Sequence, residues 1–135
     1  MAANSRLAVA AHIVVVLASR EGEFVSSGCV AASVNTNPVV IRRILAALAR
    51  SGVVESEKGK SGGSKLIRCP DKISLWDLYR ALGEERLFAV HRNPENPRCP
   101  VSCRMKKVLA GAFASAERAA QGRLKRITVK ELLDG

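Results

Sequence analysis

A turn, a helix and a glycine-rich hairpin follow one another without interruption over residues 35–68, and this order constrains the fold more than any other feature. The turn is the run Asn35-Thr36-Asn37-Pro38. Asn37 offers a side-chain oxygen as N-cap, and Pro38 suits the first helical position because an N–H would have no partner there. The apolar periodicity that follows predicts a helix over 39–51.

This predicted helix has two unlike faces. Its apolar face carries Val40, Ile44, Leu45 and Leu48. Its other face carries Arg42, Arg43, Ala46 and Arg50. Gly52 follows and is expected to end the helix, because glycine readily adopts the left-handed conformation found after helix C-termini.

A hairpin is predicted after this helix, and two helices before it. Strands over 53–58 and 65–68 flank a glycine-rich tip. A long helix over 4–20, apolar almost all round, should lie centrally in the fold. A short helix over 29–34 follows it, with Ser26 and Ser27 as capping hydroxyls. The order of helix, short helix, turn, helix and hairpin is typical of the winged variant of the helix-turn-helix.

The remainder of the sequence predicts one helix that covers the core and another that forms a dimer contact. A fourth helix over 75–82, capped by Ser74, should cover the core, and a proline-rich loop over 93–100 follows. A long helix over 101–121 then carries a stripe of small apolar residues, typical of a dimer seam. That stripe consists of Met105, Val108, Leu109, Ala112, Phe113 and Ala116.

The predicted fold class is therefore mainly α with a small β-hairpin wing, completed by a long C-terminal dimerisation helix. A short helix over 129–133, capped by Thr128, closes the chain. We expect a winged helix-turn-helix DNA-binding unit over 1–83, followed by a sensor loop and dimerisation helix over 84–135, within one compact chain.

Composition narrows the function. The 135 residues carry 22 Lys and Arg against 12 Asp and Glu, a net charge of +10. A compact basic protein attracts a polyanion, most commonly nucleic acid, although a basic surface can also serve solubility alone. The sequence contains no nucleophile–base constellation, no His/Glu metal motif and no GxxxxGK[ST] loop, so we do not expect an enzyme.

No apolar run approaches the roughly 20 residues that cross a bilayer, so no membrane partner is expected. The stretch 7–18 is interpreted as a buried helix and not as a signal peptide. The protein is then expected in the cytoplasm, where its four cysteines should be reduced thiols or ligands.

Candidate contacts to double-stranded DNA lie in the basic segment over 42–65 and in the residues ahead of it. A helix of this size fits the major groove, and its N-terminal side chains reach base edges first. In the wing, glycine lets the backbone approach phosphate, and lysine supplies charge. The candidate residues are Ser26, Ser27, Thr36, Asn37, Val39, Arg42, Arg43, Lys58, Lys60, Ser61 and Lys65. The alternative is that the arginines are ordinary exposed helix residues.

The chain resembles the Rrf family of bacterial winged helix-turn-helix transcription regulators from residue 5 to residue 133. The resemblance is carried by the run over 34–45, the glycine-rich wing, the run Ser74-Leu75-Trp76-Asp77-Leu78-Tyr79-Arg80-Ala81, and Cys99-Pro100-Val101. It implies a homodimer built on the long helix that binds a pseudo-palindromic operator and usually represses.

In this family the base-contacting positions of the third helix correspond to Asn37, Val39, Arg42 and Arg43. The wing residue that enters the minor groove corresponds to Lys58. Some members carry a Glu-Gln pair where this chain carries Arg42 and Arg43, so their operator sequence does not transfer. Lys60 and Ser61 replace part of the usual glycine- and proline-rich tip, which should add affinity for phosphate.

The iron–sulfur members place three cysteines before and at the start of the long helix, whereas this chain has only Cys99 and Cys103 there. A further ligand would have to come from His12, from His91 or from a second subunit. The acidic residue that one family variant uses one helical turn before the histidine corresponds here to Ala8. No cofactor is therefore expected, with an iron–sulfur cluster as an alternative, and His12 should be a hydrogen-bonded core histidine.

Three roles stay open for the cysteine pair: a structural turn, a thiol switch and a cluster. Pro100 can start the helix, with Cys99 at its cap and Cys103 in its first turn. The positive helix end, together with Arg98 and Arg104, should favour thiolates that oxidise readily.

The other two cysteines lie far from this pair in the sequence. Cys29 should pack as a small hydrophobe, and Cys69 has no partner that the sequence reveals. The main function predicted is that of a dimeric DNA-binding repressor with an unknown signal. The alternative is a protein-interaction module that keeps the winged fold but no longer binds DNA.

Overall fold

The computed structural model describes residues 5–83 and 86–135. It confirms a mainly helical fold with one two-stranded antiparallel hairpin and a long helix near the C-terminus. The elements are α1 (Arg6–Ser19), α2 (Ser27–Val34), α3 (Pro38–Arg50), β1 (Val54–Glu57), β2 (Gly63–Leu66), α4 (Leu75–Ala81), α5 (Pro100–Leu124) and α6 (Val129–Asp134).

Helix α1 is the centre of the core, as its apolar sequence predicts. It packs against α2, α3, α4, α6 and β2. Its fully buried side chains include Ile13 and Val14, both 0% exposed. The start predicted at Asn4 lies outside the described residues, and within them the helix begins at Arg6.

The turn between α2 and α3 is built from local hydrogen bonds. Asn35 has a φ of 63°, a left-handed conformation that asparagine tolerates better than branched residues do. Its N–H donates to the Ala31 carbonyl at 2.8 Å. Asn37 then caps α3, with Oδ1 accepting from the Val39 N–H at 2.8 Å, and Pro38 is the first helical residue. These caps are as predicted.

The buried face of α3 differs from the prediction at one position. Val40 is 38% exposed, whereas Ile41 is 0% exposed. Of the predicted apolar face, Val40 is therefore largely exposed, and Ile41, which that prediction left out, is buried. Ile41 lies three and four residues before Ile44 and Leu45, so all three side chains fall on one face of the helix and pack together.

The hairpin is shorter and differently placed than predicted. Val54 pairs with Leu66, and Glu57 pairs with Gly63, so β2 begins at residue 63 and not at residue 65. The reason is a further bridge, in which Ser64 pairs with Val25 ahead of α2. This bridge draws residues 63 and 64 into extended structure and ties the wing to the helical core.

Helices α4 and α6 complete the core, since both pack against α1. Ser74 forms a capping box with Asp77 at the start of α4. A 3-10 turn over Pro70–Lys72, which sequence patterns did not reveal, packs against α6. Val129 of α6 is 0% exposed, and its N–H donates to the Ile73 carbonyl at 2.8 Å. At the end of α6, Asp134 accepts a hydrogen bond from Lys130 and thereby raises the pKa of that ammonium.

Helix α5 stands apart from this core, because none of its residues is buried in the single chain. Val101 is 49% exposed and Val108 is 57% exposed. The preceding segment lies on α5 through Phe88, whose ring stacks on Phe113 with 5.5 Å between centroids. Among the described residues, no helix is long and apolar enough to cross a membrane.

Candidate nucleic-acid interface

Helix α3 presents a basic surface on the side opposite to the core. Ile41, Ile44 and Leu48 hold its inner face, each at most 2% exposed. The side chains on the outer face are all exposed. They are Val39, Arg42, Arg43, Ala46 and Arg50. The predicted pair Arg42 and Arg43 thus lies on the solvent side of a helix that the core holds rigidly.

The turn residues ahead of α3 differ in what they can offer a ligand. Asn37 is exposed, but its side-chain oxygen is occupied by the cap to Val39. Thr36 is half-buried, and its N–H donates to the Ala31 carbonyl at 3.1 Å. These two residues position the helix start as much as they could contact a partner.

A groove of about 600 Å³ separates α3 from the wing. Arg42 and Arg50 line its helix side, and main chain of Gly59, Gly62 and Gly63 lines its wing side. The predicted serines also belong to it, since Ser26 and Ser27 line its floor at the start of α2. Arg50 was not among the predicted contacts. Its position about two helical turns beyond both Arg42 and Arg43, on the same face of the helix, is the sequence signal that could have identified it.

Glycine is required at two positions where the tip of the wing leads into β2. Gly63 has a φ of 146°, which side chains rarely adopt, and a Cβ there would clash with the Val25 carbonyl. A Cβ on Gly62 would clash with the Glu57 carbonyl. The glycines therefore allow the hairpin to fold back closely on itself and on the segment ahead of α2.

The wing lysines fall into two groups. Lys58, Lys60 and Ser61 are exposed at the tip. Lys65, in contrast, lies within β2, in agreement with the strand predicted over 65–68. Its ammonium is 4.7 Å from the centroid of the Phe24 ring and 3.6 Å from a Glu55 carboxylate oxygen. Lys65 therefore has less freedom to meet an outside anion than the tip lysines have.

The exposed cations of α3 and the wing tip have no carboxylate partner among the residues that the structure describes. Among the described residues, no carboxylate lies within 4.0 Å of Arg42, Arg43, Arg50, Lys58 or Lys60. Glu57 lines the same groove but pairs with none of them. A surface with several unpaired cations beside a groove has the charge and shape that suit a polyanion.

Cys99 and Cys103 lie one helical turn apart at the start of α5. Cys99 is the N-cap, its Sγ accepting from the Ser102 N–H at 3.4 Å, and Pro100 is the first helical residue. The Cys103 N–H donates to the Cys99 carbonyl at 3.1 Å. The Cys103 thiol donates to the Asn96 carbonyl at 3.5 Å. The predicted positions of both cysteines at this helix end are confirmed.

The donor groups of the described residues do not fit an iron–sulfur cluster. In the described part of the chain, no three His, Cys, Asp or Glu side chains come together in a way that could hold a metal ion. His12 lies on α1, where it is exposed, and its Nε2 is hydrogen-bonded to Ser33 Oγ at 3.0 Å. It is therefore hydrogen-bonded as predicted, but it is not a core residue. His91 is exposed in the segment ahead of α5.

The two remaining cysteines lie away from this pair. Cys29 is half-buried on α2 and packs against the core, as predicted for a small hydrophobe. Cys69 is exposed beside the 3-10 turn.

Comparison with known proteins places this architecture in a family. Residues 3–135 match the Rrf2 family, described as iron-dependent transcriptional regulators. YwnA of Bacillus subtilis (strain 168), provisionally named an HTH-type transcriptional regulator, is 42% identical over 132 residues, covering 97% of this chain and 96% of YwnA.

Solved structures agree with that assignment. One solved structure, provisionally described as that of a DNA-binding protein, is 35% identical to this chain and superposes on it with a TM-score of 0.76. The match covers 96% of this chain and 99% of that protein. A second structure, of a provisionally assigned transcriptional regulator from Lactobacillus plantarum, is 25% identical and superposes with a TM-score of 0.82. That match covers 95% of this chain and 87% of the regulator. The chain belongs to the Rrf2 family and is a DNA-binding transcriptional regulator of the winged helix-turn-helix fold.

Proposed function

We propose that this regulator is a homodimeric repressor that binds its operator through the outer face of α3 and the tip of the wing. The observation that carries the proposal is a row of cations without a carboxylate partner in the described part of the chain, Arg42, Arg43 and Arg50 on α3, beside Lys58 and Lys60 at the wing tip. Helix α3 enters the major groove, and the wing lies over the adjacent minor groove.

The two parts of this surface do different work. Arginine can pair bidentately with guanine, so Arg42 and Arg43 select sequence. The tip lysines bind phosphates, together with Ser61 and the glycine main chain, and so add affinity without selecting bases. Ser26, Ser27, Thr36 and Asn37 lie at the start of α2 and α3, from which hydroxyl and amide groups reach the sugar-phosphate backbone. Lys65 contributes less to phosphate binding, because its ammonium already forms an ion pair with Glu55 and lies over the Phe24 ring.

The second copy of the chain covers the apolar stripe of α5. That helix has 25 residues and none is buried in the single chain. Met105, Leu109 and Phe113 are half-buried, and Val101 and Val108 are largely exposed. Burying this stripe against its counterpart removes apolar surface from water and sets two α3 helices at a fixed separation. The loop and α5 then form the dimerisation unit, while α6 packs back on the winged unit.

Cys99 and Cys103 form a thiol switch at one end of the dimerisation helix. A peroxide supplies the oxidant: one thiolate sulfur attacks a peroxide oxygen, the O–O bond breaks, and water and a sulfenic acid result. The second thiol attacks that sulfur, releases a second water and forms a disulfide. The two Cα atoms are about 6 Å apart for one helical turn, which lies within the usual disulfide range.

The test of operator binding is selection of duplexes from a random pool by the full-length protein, followed by sequencing. A homodimer with one α3 per subunit selects an inverted repeat whose half-sites are centred about 34 Å, one helical turn, or a multiple of that apart. A pool that shows no enrichment after several rounds would contradict the proposal.

A further inference from the structure

The centre of the outer face of α3 is apolar although its surroundings are basic. Val39 and Leu48 are nine residues apart, which sets them about 180° apart around a helix of 3.6 residues per turn. Since Leu48 is 0% exposed in the core, Val39 points directly away from it. Ala46 lies two turns along the same line, and Arg42 and Arg43 lie about 60° and 40° to its two sides.

Val39 is 43% exposed in the described structure, although valine gains nothing from water. It cannot form a hydrogen bond or an ion pair with its side chain. In the major groove of DNA, the one apolar group on the base edges is the C5-methyl group of thymine. The flanking arginines carry the charge that holds a duplex against this face, so the chemistry of the surface matches that group.

We propose that Val39 recognises the C5-methyl group of one thymine in each half-site of the operator. This inference rests on the proposed function, because it requires α3 to lie in the major groove. It assigns Val39 a definite partner atom and makes the methyl group, and not only the hydrogen-bonding edge of a base, part of what the protein selects.

The first turn of α3 holds this side chain in a fixed position. The Val39 N–H donates to Asn37 Oδ1 at 2.8 Å, and Pro38 fixes the backbone before it. A valine side chain in a helix adopts mainly one rotamer. The two γ-methyl groups are therefore presented rigidly, and little conformational entropy is lost when they meet a partner.

Val40 provides a matched control on the same turn. It has the same side chain and a similar exposure of 38%. It is rotated by about 100° from Val39, towards the side where Ile44 and Ala47 are buried, and away from the line between the two arginines. Replacing Val40 removes the same atoms from the helix without removing them from the centre of the outer face.

The test is a uracil scan of the selected operator with the full-length protein. Each thymine is replaced in turn by deoxyuridine, which lacks only the C5-methyl group, and binding is measured by fluorescence anisotropy. For the wild-type chain, one thymine position per half-site should weaken binding about fourfold, the worth of one buried methyl group. In V39A this cost should disappear, and in V40A it should persist.

The outcomes separate this inference from the proposed function. If the wild-type chain prefers its operator but no replacement of thymine by deoxyuridine weakens binding, the methyl contact alone is contradicted. So does a uracil cost that is the same in V39A as in the wild type. A chain without any preference for an operator contradicts the proposed function itself. Because alanine favours helix more than valine does, V39A should fold normally.

Discussion

Val25 and Ser64 exchange two main-chain hydrogen bonds, each 2.9 Å from nitrogen to oxygen, and so tie the wing to the segment that leads into α2. The neighbouring Gly63 has a φ of 146° and no room for a Cβ beside the Val25 carbonyl. The position of the wing relative to α3 therefore depends on a glycine at residue 63.

Gly63→Ala should lower the free energy of unfolding by about 2 kcal/mol or more, because it adds backbone strain and a main-chain clash. Thermal denaturation checks this as a lower Tm. Gly28→Ala is the control, since a Cβ there meets nothing within 4 Å and the backbone is helical. Equal melting temperatures for G63A and the wild type would show that the wing does not depend on this close approach.

Lys60→Ala should weaken binding to all duplexes by a similar factor and lower the salt slope of log K by about one. Lys65→Ala should have a smaller effect, because its ammonium already faces Glu55 and the Phe24 ring. Anisotropy titrations at several salt concentrations measure both. A larger loss for K65A than for K60A would contradict this division of the wing lysines.

Glu117→Ala should release the segment ahead of α5. Glu117 Oε1 accepts from the N–H groups of Leu87 at 2.9 Å and Phe88 at 3.1 Å. Without this acceptor, hydrogen exchange at those two amides should be faster, while amides of α1 remain unchanged. Glu117→Gln keeps an oxygen at that place and should exchange more slowly than E117A. Identical exchange in all three proteins would show that the carboxylate does not hold the segment.

Peroxide should change the operator affinity of the wild-type protein and leave that of a C99S/C103S variant unaltered, because only this pair is proposed to be oxidised. Reductant should restore the original affinity. C69S, which removes an exposed thiol elsewhere, is the control and should respond as the wild type does. A response that persists in the double variant would place the oxidised group elsewhere.

Anaerobically purified protein should be colourless and free of iron and sulfide, because one subunit brings only two cysteines together at this helix. Absorbance spectra and metal analysis measure this. A brown sample containing iron and sulfide would show that two subunits, or other ligands, complete a cluster.

The helix caps were predictable because their signals are local. Asn37 with Pro38, Ser74 and Thr128 each cap the helix that follows them, as the sequence indicates. Cys99 at the start of α5 follows the same rule. A cap depends on two or three neighbouring residues, so distant contacts rarely override it.

Contacts between distant segments were not predictable in the same way. The pairing of Ser64 with Val25 turns part of an apparent glycine-rich tip into strand, and no local pattern announces it. The choice between Val40 and Ile41 as the buried residue depends on the exact phase of α3, where three apolar residues are consecutive. The position of Ile41 four residues before Leu45 was the signal that could have identified Ile41 as the buried residue.

The most direct test of the central claim compares the affinity for a selected operator with that for a scrambled duplex. R42A and R43A should reduce the preference for the operator by about tenfold, the worth of a lost base contact. K58A should weaken both duplexes equally. K72A, on the turn that packs against α6, removes one charge elsewhere and should match the wild type. If R42A and R43A both kept the wild-type preference, the outer face of α3 would not be the surface that selects sequence.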